Sequence, residues 1–411
     1  MDLTGKYISG VASGSDKGTT PSSTFRPQFS HPKSVYIHIP FCRHRCGYCN
    51  FTLVAGRDYL IDRFLDALEI EINWLERDYL LETLFLGGGT PSHLSPKQLA
   101  RLSKIISHRF TYLSDAEITA ECNPNDLDRD RLNALKDLGV TRISLGVQSL
   151  NPKKLKRLER DHCENDVRLA ITEARNMGFD VSIDLIFAAP QETLDQWQTD
   201  LNQAISYEPD HLSTYELTYE KGTQFWNRLN HGAIGEASED LRAEMYSYAI
   251  ERLRQVGMQQ YEVSSFARID KACRHNLAYW QGDPFFAFGP GAARFVDGVR
   301  ETNHRSTMRY LNLVHSGKCP VAEREHLSPE PAARERLAIG LRMIDGVDET
   351  QFYERTGYSI ETILSGLEQK LVDNHLLRRD GKNYLLTERG VMLCDWIAAE
   401  IVNHSSANSA D

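Results

Sequence analysis

Long hydrophobic runs are missing from this 411-residue chain: nothing approaches the ~18 uninterrupted apolar residues of a membrane-spanning helix, so no integral membrane segment is expected. Basic charge is not in excess either. Lys plus Arg number 47 against 57 Asp plus Glu, a net charge of −10, and an acidic chain without a basic block makes a poor general nucleic-acid binder. Cysteine is scarce, with eight residues, too few for a disulfide scaffold. Residues Met1 to Ser30 lack the apolar stretch of a signal peptide, and a cytoplasmic location with free thiols is the expectation. No repeat of fixed period stands out in the C-terminal part. The question becomes what the few cysteines do.

Residues 1–30 are rich in Ser, Thr, Gly and Pro without apolar periodicity, and with 404–411 they read as disordered tails. Between them strand and helix patterns alternate. Val35–Ile39, Leu84–Leu86, Ala116–Glu121, Arg142–Val147, Val181–Phe187 and His211–Leu217 read as strands. Helical spacing follows each of the first five, from Leu60 to Leu75, Pro96 to Ile106, Leu127 to Leu138, Asp166 to Met177 and Leu194 to Ile205. About six such units argue for an α/β fold with a parallel sheet, open or curled into a barrel. After Tyr219 the alternation weakens into a long helix (Ser238–Val256), a strand (Gln259–Val263) and a Gly-rich aromatic stretch (Trp280–Val299). The core is expected to span 31–325 and a C-terminal module 326–403, where helices, a hairpin at Asp380-Gly381 and a last helix from Glu388 to Val402 read as a small winged-helix-like unit.

The sharpest local feature is Cys42, Cys46 and Cys49, a C-x3-C-x2-C motif just after the first strand. Free thiols rarely group this tightly without a ligand. Zinc would need a fourth ligand, for which His38 or His44 is at hand, but no second cysteine pair stands at finger-like spacing. A [4Fe–4S] cluster on three thiolates would instead leave one iron open to an exchangeable ligand. Arg43 and Arg45 would partly offset its negative charge. A second feature is Gly87-Gly88-Gly89-Thr90-Pro91, where glycines let backbone approach a ligand. The cysteine loop, Gly88–Pro91, Glu121, Gln148 and Asp184 all fall at the carboxyl ends of expected strands, where such folds bind ligands.

The cysteine motif with Tyr48 before its third member, followed by the GGGTP run, resembles the radical S-adenosylmethionine superfamily. The resemblance implies a partial (β/α)6 barrel with a [4Fe–4S] cluster on Cys42, Cys46 and Cys49. The open iron would chelate the methionine end of S-adenosylmethionine, and an electron from the cluster would cleave the sulfonium to a 5′-deoxyadenosyl radical. By position, Tyr36 and Tyr48 would lie beside that cofactor and Gly88, Gly89 and Thr90 would hold its methionine end. Glu121, Gln148, Arg160 and Asp184 would bond its amino, carboxylate or ribose groups, since an arginine fork suits a carboxylate and an acid accepts from a ribose diol.

Tyr36-Ile37-His38-Ile39-Pro40-Phe41-Cys42, Glu121-Cys122-Asn123-Pro124, Leu145-Gly146-Val147-Gln148-Ser149 and Asp184-Leu185-Ile186 narrow the resemblance to the coproporphyrinogen dehydrogenase-like branch, over most of 33–402. That branch holds two biochemistries, and whether this chain is an enzyme stays open. Oxygen-independent coproporphyrinogen III oxidases of porphyrin biosynthesis carry a fourth cysteine two residues after the third; Phe51 stands there instead. Radical-SAM heme chaperones carry H-N-x-x-Y-W, matched by His275-Asn276-Leu277-Ala278-Tyr279-Trp280. The resemblance then implies heme on His275, a good axial ligand when neutral, and a heme-accepting protein such as a respiratory enzyme as partner. Tyr279, Trp280, Phe285, Phe286 and Phe288 are expected to offer a flat apolar surface to the porphyrin. Cys122, Cys163, Cys319 and Cys394 are expected to carry no chemistry, and Cys273 lies close enough in sequence to touch a heme on His275.

Overall fold

A computed structural model describes residues 31–404. The expected disorder of 1–30 and of the tail lies outside the described residues, apart from His404, which caps the last helix. Five strand–helix pairs and a sixth strand open the chain: β1 (Ser34–Ile39), α1 (Ile61–Asn73), β2 (Tyr79–Gly88), α2 (Pro96–Ser107), β3 (Phe110–Cys122), α3 (Arg129–Leu138), β4 (Arg142–Gln148), α4 (Glu164–Asn176), β5 (Asp180–Phe187), α5 (Leu194–Ser206) and β6 (His211–Glu216). All six strands pair in parallel in chain order. Local chemistry sets the helix ends. Ser95 and Thr193 form capping boxes with Gln98 and Gln196, and Asp128 caps α3.

The sheet continues beyond both ends of this array. After β6 come α6 (Gln224–Asn230), α7 (Glu239–Gln255), β7 (Gln259–Glu262), β8 (Ser265–Ala267), α8 (Arg274–Trp280), β9 (Phe285–Phe288), β10 (Ala293–Val296), β11 (Val299–Asn303), α9 (Thr307–His315) and β12 (Val321–His326). The strand order is β12-β11-β10-β9-β1-β2-β3-β4-β5-β6-β8-β7, an open barrel with two edges. The aromatic stretch is therefore not one surface. Its β9 pairs in parallel with β1, and Phe286 and Phe288 enter the main core. Burial of two aromatic side chains there outweighs leaving them exposed.

Strand parity divides the barrel into two environments. Val35, Leu84, Ile118, Ile143, Val181 and Leu212 are buried in the main core. The opposite parity is largely polar: register sets Ser34 beside Thr83 and Glu117, then Tyr36 beside Phe85, Thr119 and Arg142, and then Glu121 beside Ser144, Ser182 and His211, with Asp184 beside Ser213 one step further. Tyr36, Phe85, Glu121, Gln148, Asp184, Tyr215 and Tyr279 keep partial exposure although neighbouring positions are buried, so they line an open interior.

The C-terminal part packs its helix Pro329–Gly340 against the helix Cys394–Asn403, beside the three-stranded sheet Val347–Asp348, Asn383–Leu386 and Leu377–Asp380. The expected last helix is two, Glu388–Met392 and Cys394–Asn403, broken at Leu393 by non-helical backbone. This part is tied to the barrel: Arg342 lies 4.8 Å over the Trp280 ring, and Arg336 donates to the carbonyls of Gln281 and Gly282.

Candidate functional site

The carboxyl ends of β1 and β2 are stitched together. Gly89 N donates to Ile39 O and Thr90 N to Phe41 O, both at 2.8 Å. Glycine is required here: Gly88 has φ +110°, and a Cβ on Gly89 would lie 2.7 Å from Phe41 O. The stitch brings Cys42 Sγ to 3.3 Å from Thr90 Oγ1, and Gly88 N donates to Glu121 Oε2 at 2.9 Å. A Cβ on Gly87 would sit 3.0 Å from Tyr36 and 3.1 Å from Glu121, so these side chains converge below the glycines.

Arg160 closes the other flank. Its Nη2 donates to Asn123 Oδ1 and Gly146 O at 2.7 Å, and Nη1 lies 3.8 Å from Cys46 Sγ. Its buried Nε has no partner. Gln148 ends β4 at φ +64°, and its amide nitrogen lies 3.2 Å from where a Gly146 side chain would begin. Tyr48 packs edge-on against Phe225, at 6.1 Å between ring centres. Asp184 accepts from Ser144 Oγ at 3.2 Å. The structure thus brings together the cysteines, Tyr36, Tyr48, Gly88–Thr90, Glu121, Gln148, Arg160 and Asp184 around one mouth.

Burial dominates the electrostatics. It pushes the Cys42 thiol up to about 12, only partly opposed by Thr90, and raises Cys49 against the pull of the Phe51 backbone N–H. It lifts Glu121 to about 7, with the Asp184 charge adding to the rise, and Asp184 to about 6 against the hydroxyls of Ser213 and Ser144. Desolvated thiols of this kind ionise when a metal replaces their protons. Two desolvated carboxylates facing an open interior favour a cationic ligand. These residues therefore fit an iron–sulfur cluster beside a cationic cofactor.

His275 lies elsewhere. The loop through Cys273 and the start of α8 seal the amino-terminal end of the barrel. Glu117 accepts from Arg274 N and His275 N at 3.1 Å and pairs with Arg142 at 3.1 Å, both side chains being buried. The His275 ring is stacked on Phe85 at 5.2 Å, near Thr83, four residues and roughly 13 Å of strand below Gly87. Thr83 Oγ1 donates to Ser34 Oγ, so it accepts from His275 Nδ1–H at 2.8 Å. The Nε2 lone pair then accepts from Tyr279 Oη at 2.9 Å. The ring is 1% exposed, and burial lowers its pKa to about 3, so it is neutral. The flat apolar surface expected of Tyr279, Trp280, Phe285, Phe286 and Phe288 is corrected: Phe286 and Phe288 belong to the main core, Trp280 is buried under Arg342, and half-buried Tyr279, bonded to His275 Nε2, stands between that ring and the interior.

Residues not singled out from sequence complete the site. Asn123 orients Arg160, Ser144 and Ser213 support Asp184, and Glu117 anchors α8. Glu117 had a readable signal, since it shares strand parity with Glu121. Asn123 stands in the Glu121–Pro124 motif, where nothing pointed to Arg160, and Ser213 carried no signal because its partner is distant in sequence.

The Radical SAM superfamily matches residues 36–204, and the HemN C-terminal domain matches 327–393. The heme chaperone HemW of Bacillus subtilis is 34% identical over 366 residues, covering 88% of this chain and 97% of that protein. The heme chaperone HemW of Mycobacterium tuberculosis (strain H37Rv) is 32% identical over 383 residues, with 92% and 96% covered. Radical S-adenosyl methionine domain-containing protein 1, mitochondrial, of Danio rerio is 33% identical over 382 residues, with 90% and 85% covered. Among solved structures, Escherichia coli coproporphyrinogen III oxidase (HemN), a radical SAM enzyme, superposes with a TM-score of 0.79 over 90% of each chain at 24% identity, a likeness of fold.

Proposed function

The chain belongs to the HemW family of the radical SAM superfamily, and from that premise we propose that it is a heme chaperone, binding heme and passing it to an acceptor protein such as a respiratory enzyme. Membership implies a [4Fe–4S] cluster and S-adenosylmethionine. We assign the cluster to Cys42, Cys46 and Cys49, and the cofactor to Tyr36, Tyr48, Gly88, Gly89, Thr90, Glu121, Gln148, Arg160 and Asp184. The cluster, when bound, supplies the electron that cleaves the sulfonium. Glu121 and Asp184 hold the cationic groups, Arg160 meets the carboxylate, and the glycine backbone leaves room for the methionine end. The core is assigned to 31–325 and the C-terminal module to 326–403, and the reducing cytoplasm suits such a cluster. Among the described residues no helix is long and apolar enough to cross a membrane.

The observation that carries the heme assignment is the state of His275: neutral, with its tautomer set by Thr83 so that the Nε2 lone pair, the one an iron would take, faces the interior side through Tyr279. Ligation displaces the Tyr279 hydroxyl. Phe51, in place of a fourth cysteine, favours carriage over decarboxylation. The test is an anaerobic heme titration of wild type, His275→Ala and the Cys42/Cys46/Cys49 triple Ala variant. A Soret band lost in His275→Ala, with cluster absorbance intact there and absent in the triple variant, is expected. An unchanged Soret band removes His275 as ligand. Robust conversion of coproporphyrinogen III to protoporphyrinogen by the reconstituted protein overturns the chaperone reading.

A further inference from the structure

The cysteine loop is gripped by a segment from the far side of the barrel. After β6 the chain turns through Thr223, whose hydroxyl donates to Glu220 O and accepts from Trp226 N, and enters α6. Phe225 N there donates to Gly47 O, between the second and third cysteines, at 2.9 Å. The Phe225 ring covers Gly47 so closely that a Cβ would sit 2.7 Å from it and 2.9 Å from a Glu159 carboxylate oxygen. Phe225 belongs to a small apolar cluster separate from the main core, with Leu158, Ile186, Ala189 and Leu217, against which Tyr48 packs. One turn on, Arg228 pairs with Glu159 at 2.6 Å and lies 5.5 Å over the Phe225 ring. Glu159, held at φ +58°, accepts from His44 Nε2 through its carbonyl at 2.6 Å. The next residue is Arg160, beside Cys46 Sγ. The loop is thus held at His44 and at Gly47, on either side of Cys46.

We propose that α6 is a clamp on the cluster loop, with Phe225 and the Arg228–Glu159 pair as positioning residues that set the placement and solvent cover of Cys46 and Cys49. The proposal rests on the assignment of the cluster to these cysteines. Cluster potential and lability follow solvent exposure and hydrogen bonding at the sulfurs, and outer partners of a metal site govern its retention. None of these groups needs to touch the cofactor. They act through the loop. Gly47 is the only residue type that accommodates the Phe225 ring at this distance.

The test compares full-length wild type, Phe225→Leu, Arg228→Met and Arg228→Lys after anaerobic reconstitution, with circular dichroism and melting as folding controls. Arg228 is 41% exposed in its side chain, so its variants should fold. Phe225→Leu and Arg228→Met should assemble a cluster, lose its ~400 nm absorbance in air about tenfold faster, the lower end of what removing an outer partner costs a metal site, and show altered EPR g values. Arg228→Lys, keeping the ion pair, should restore wild-type decay and spectrum. Decay and g values equal to wild type in both folded variants overturn the clamp, as does Arg228→Lys behaving like Arg228→Met. If wild type assembles no cluster, the cysteine assignment has failed and the clamp falls with it. A cluster in wild type with no effect in the variants fails the clamp alone.

Discussion

Removing one oxygen atom, in Tyr279→Phe, separates a histidine that is held in reserve from one that is merely structural. In the wild type Tyr279 Oη donates to His275 Nε2 at 2.9 Å, and Nδ1 is occupied by Thr83. Heme iron binding at Nε2 must break the first bond. Deleting it beforehand penalises only the heme-free state, so heme binding should tighten by that state's loss of about 1–3 kcal/mol, roughly 5- to 160-fold. The same deletion leaves a buried acceptor unpaired in the heme-free protein, at a cost of about 1–3 kcal/mol. The variant should therefore be less stable without heme and bind heme more tightly, two effects of opposite sense from one atom. The phenyl ring keeps the contact with Phe285, 4.5 Å between centres in the wild type, so packing is preserved. Soret titrations of the apo protein, paired with urea unfolding with and without heme, read both effects. Loss of the Soret band to the extent seen in His275→Ala would refute the reasoning, because Tyr279 would then be part of the heme site. Unchanged affinity would show that Nε2 is not the ligand.

Two other consequences follow from buried charge. Glu121 and Asp184 sit at about 7 and about 6 in the free protein, both raised chiefly by burial, so binding of cationic S-adenosylmethionine should expel protons and tighten as pH rises through that window. Calorimetry in two buffers of different ionisation enthalpy, from about pH 5 to 8, checks this, and a flat affinity would exclude it. The sign for stability is opposite: carboxylates raised on folding stabilise the cofactor-free protein below their ordinary pKa, and that contribution is lost as pH rises through about 6 to 7. Separately, Lys154 is 3% exposed between Glu192, at 2.5 Å, and Asp200, at 3.1 Å, and Asp200 also accepts from Leu150 N and Asn151 N just beyond Gln148. Lys154→Met should cost about 3–5 kcal/mol by stranding two buried acids, measured by the urea midpoint, and a wild-type midpoint would show the triad to be dispensable.

Much of this protein was legible along the chain because its signals are local. The six strands of the barrel fall where alternation and β-branched runs put them, although β2 and β3 begin earlier, at Tyr79 and Phe110, where their extensions pair with each other. The cysteine spacing and the glycine run are local because one loop and one strand end must meet one ligand, and the site residues cluster at strand ends because a parallel sheet sends every such end to the same side. The aromatic stretch carried no such signal. Phe285–Phe288 reads as a patch or as a strand according to what lies beside it, and what lies beside it is β1, some 250 residues earlier in the chain.

The sequence by itself determined the strand–helix order, the three thiols, the acids and arginine of the mouth, and the HNLAYW match, since each is set by neighbours in the chain. Only the tertiary structure decided that His275 faces inward with both nitrogens engaged, that Glu117 and Arg142 anchor its helix, and that Phe225 closes over Gly47. The physical reason is that exposure, tautomer and desolvation belong to the packed barrel: they depend on groups as far as 192 residues apart, such as Thr83 and His275, that meet only when the parallel strands are in register.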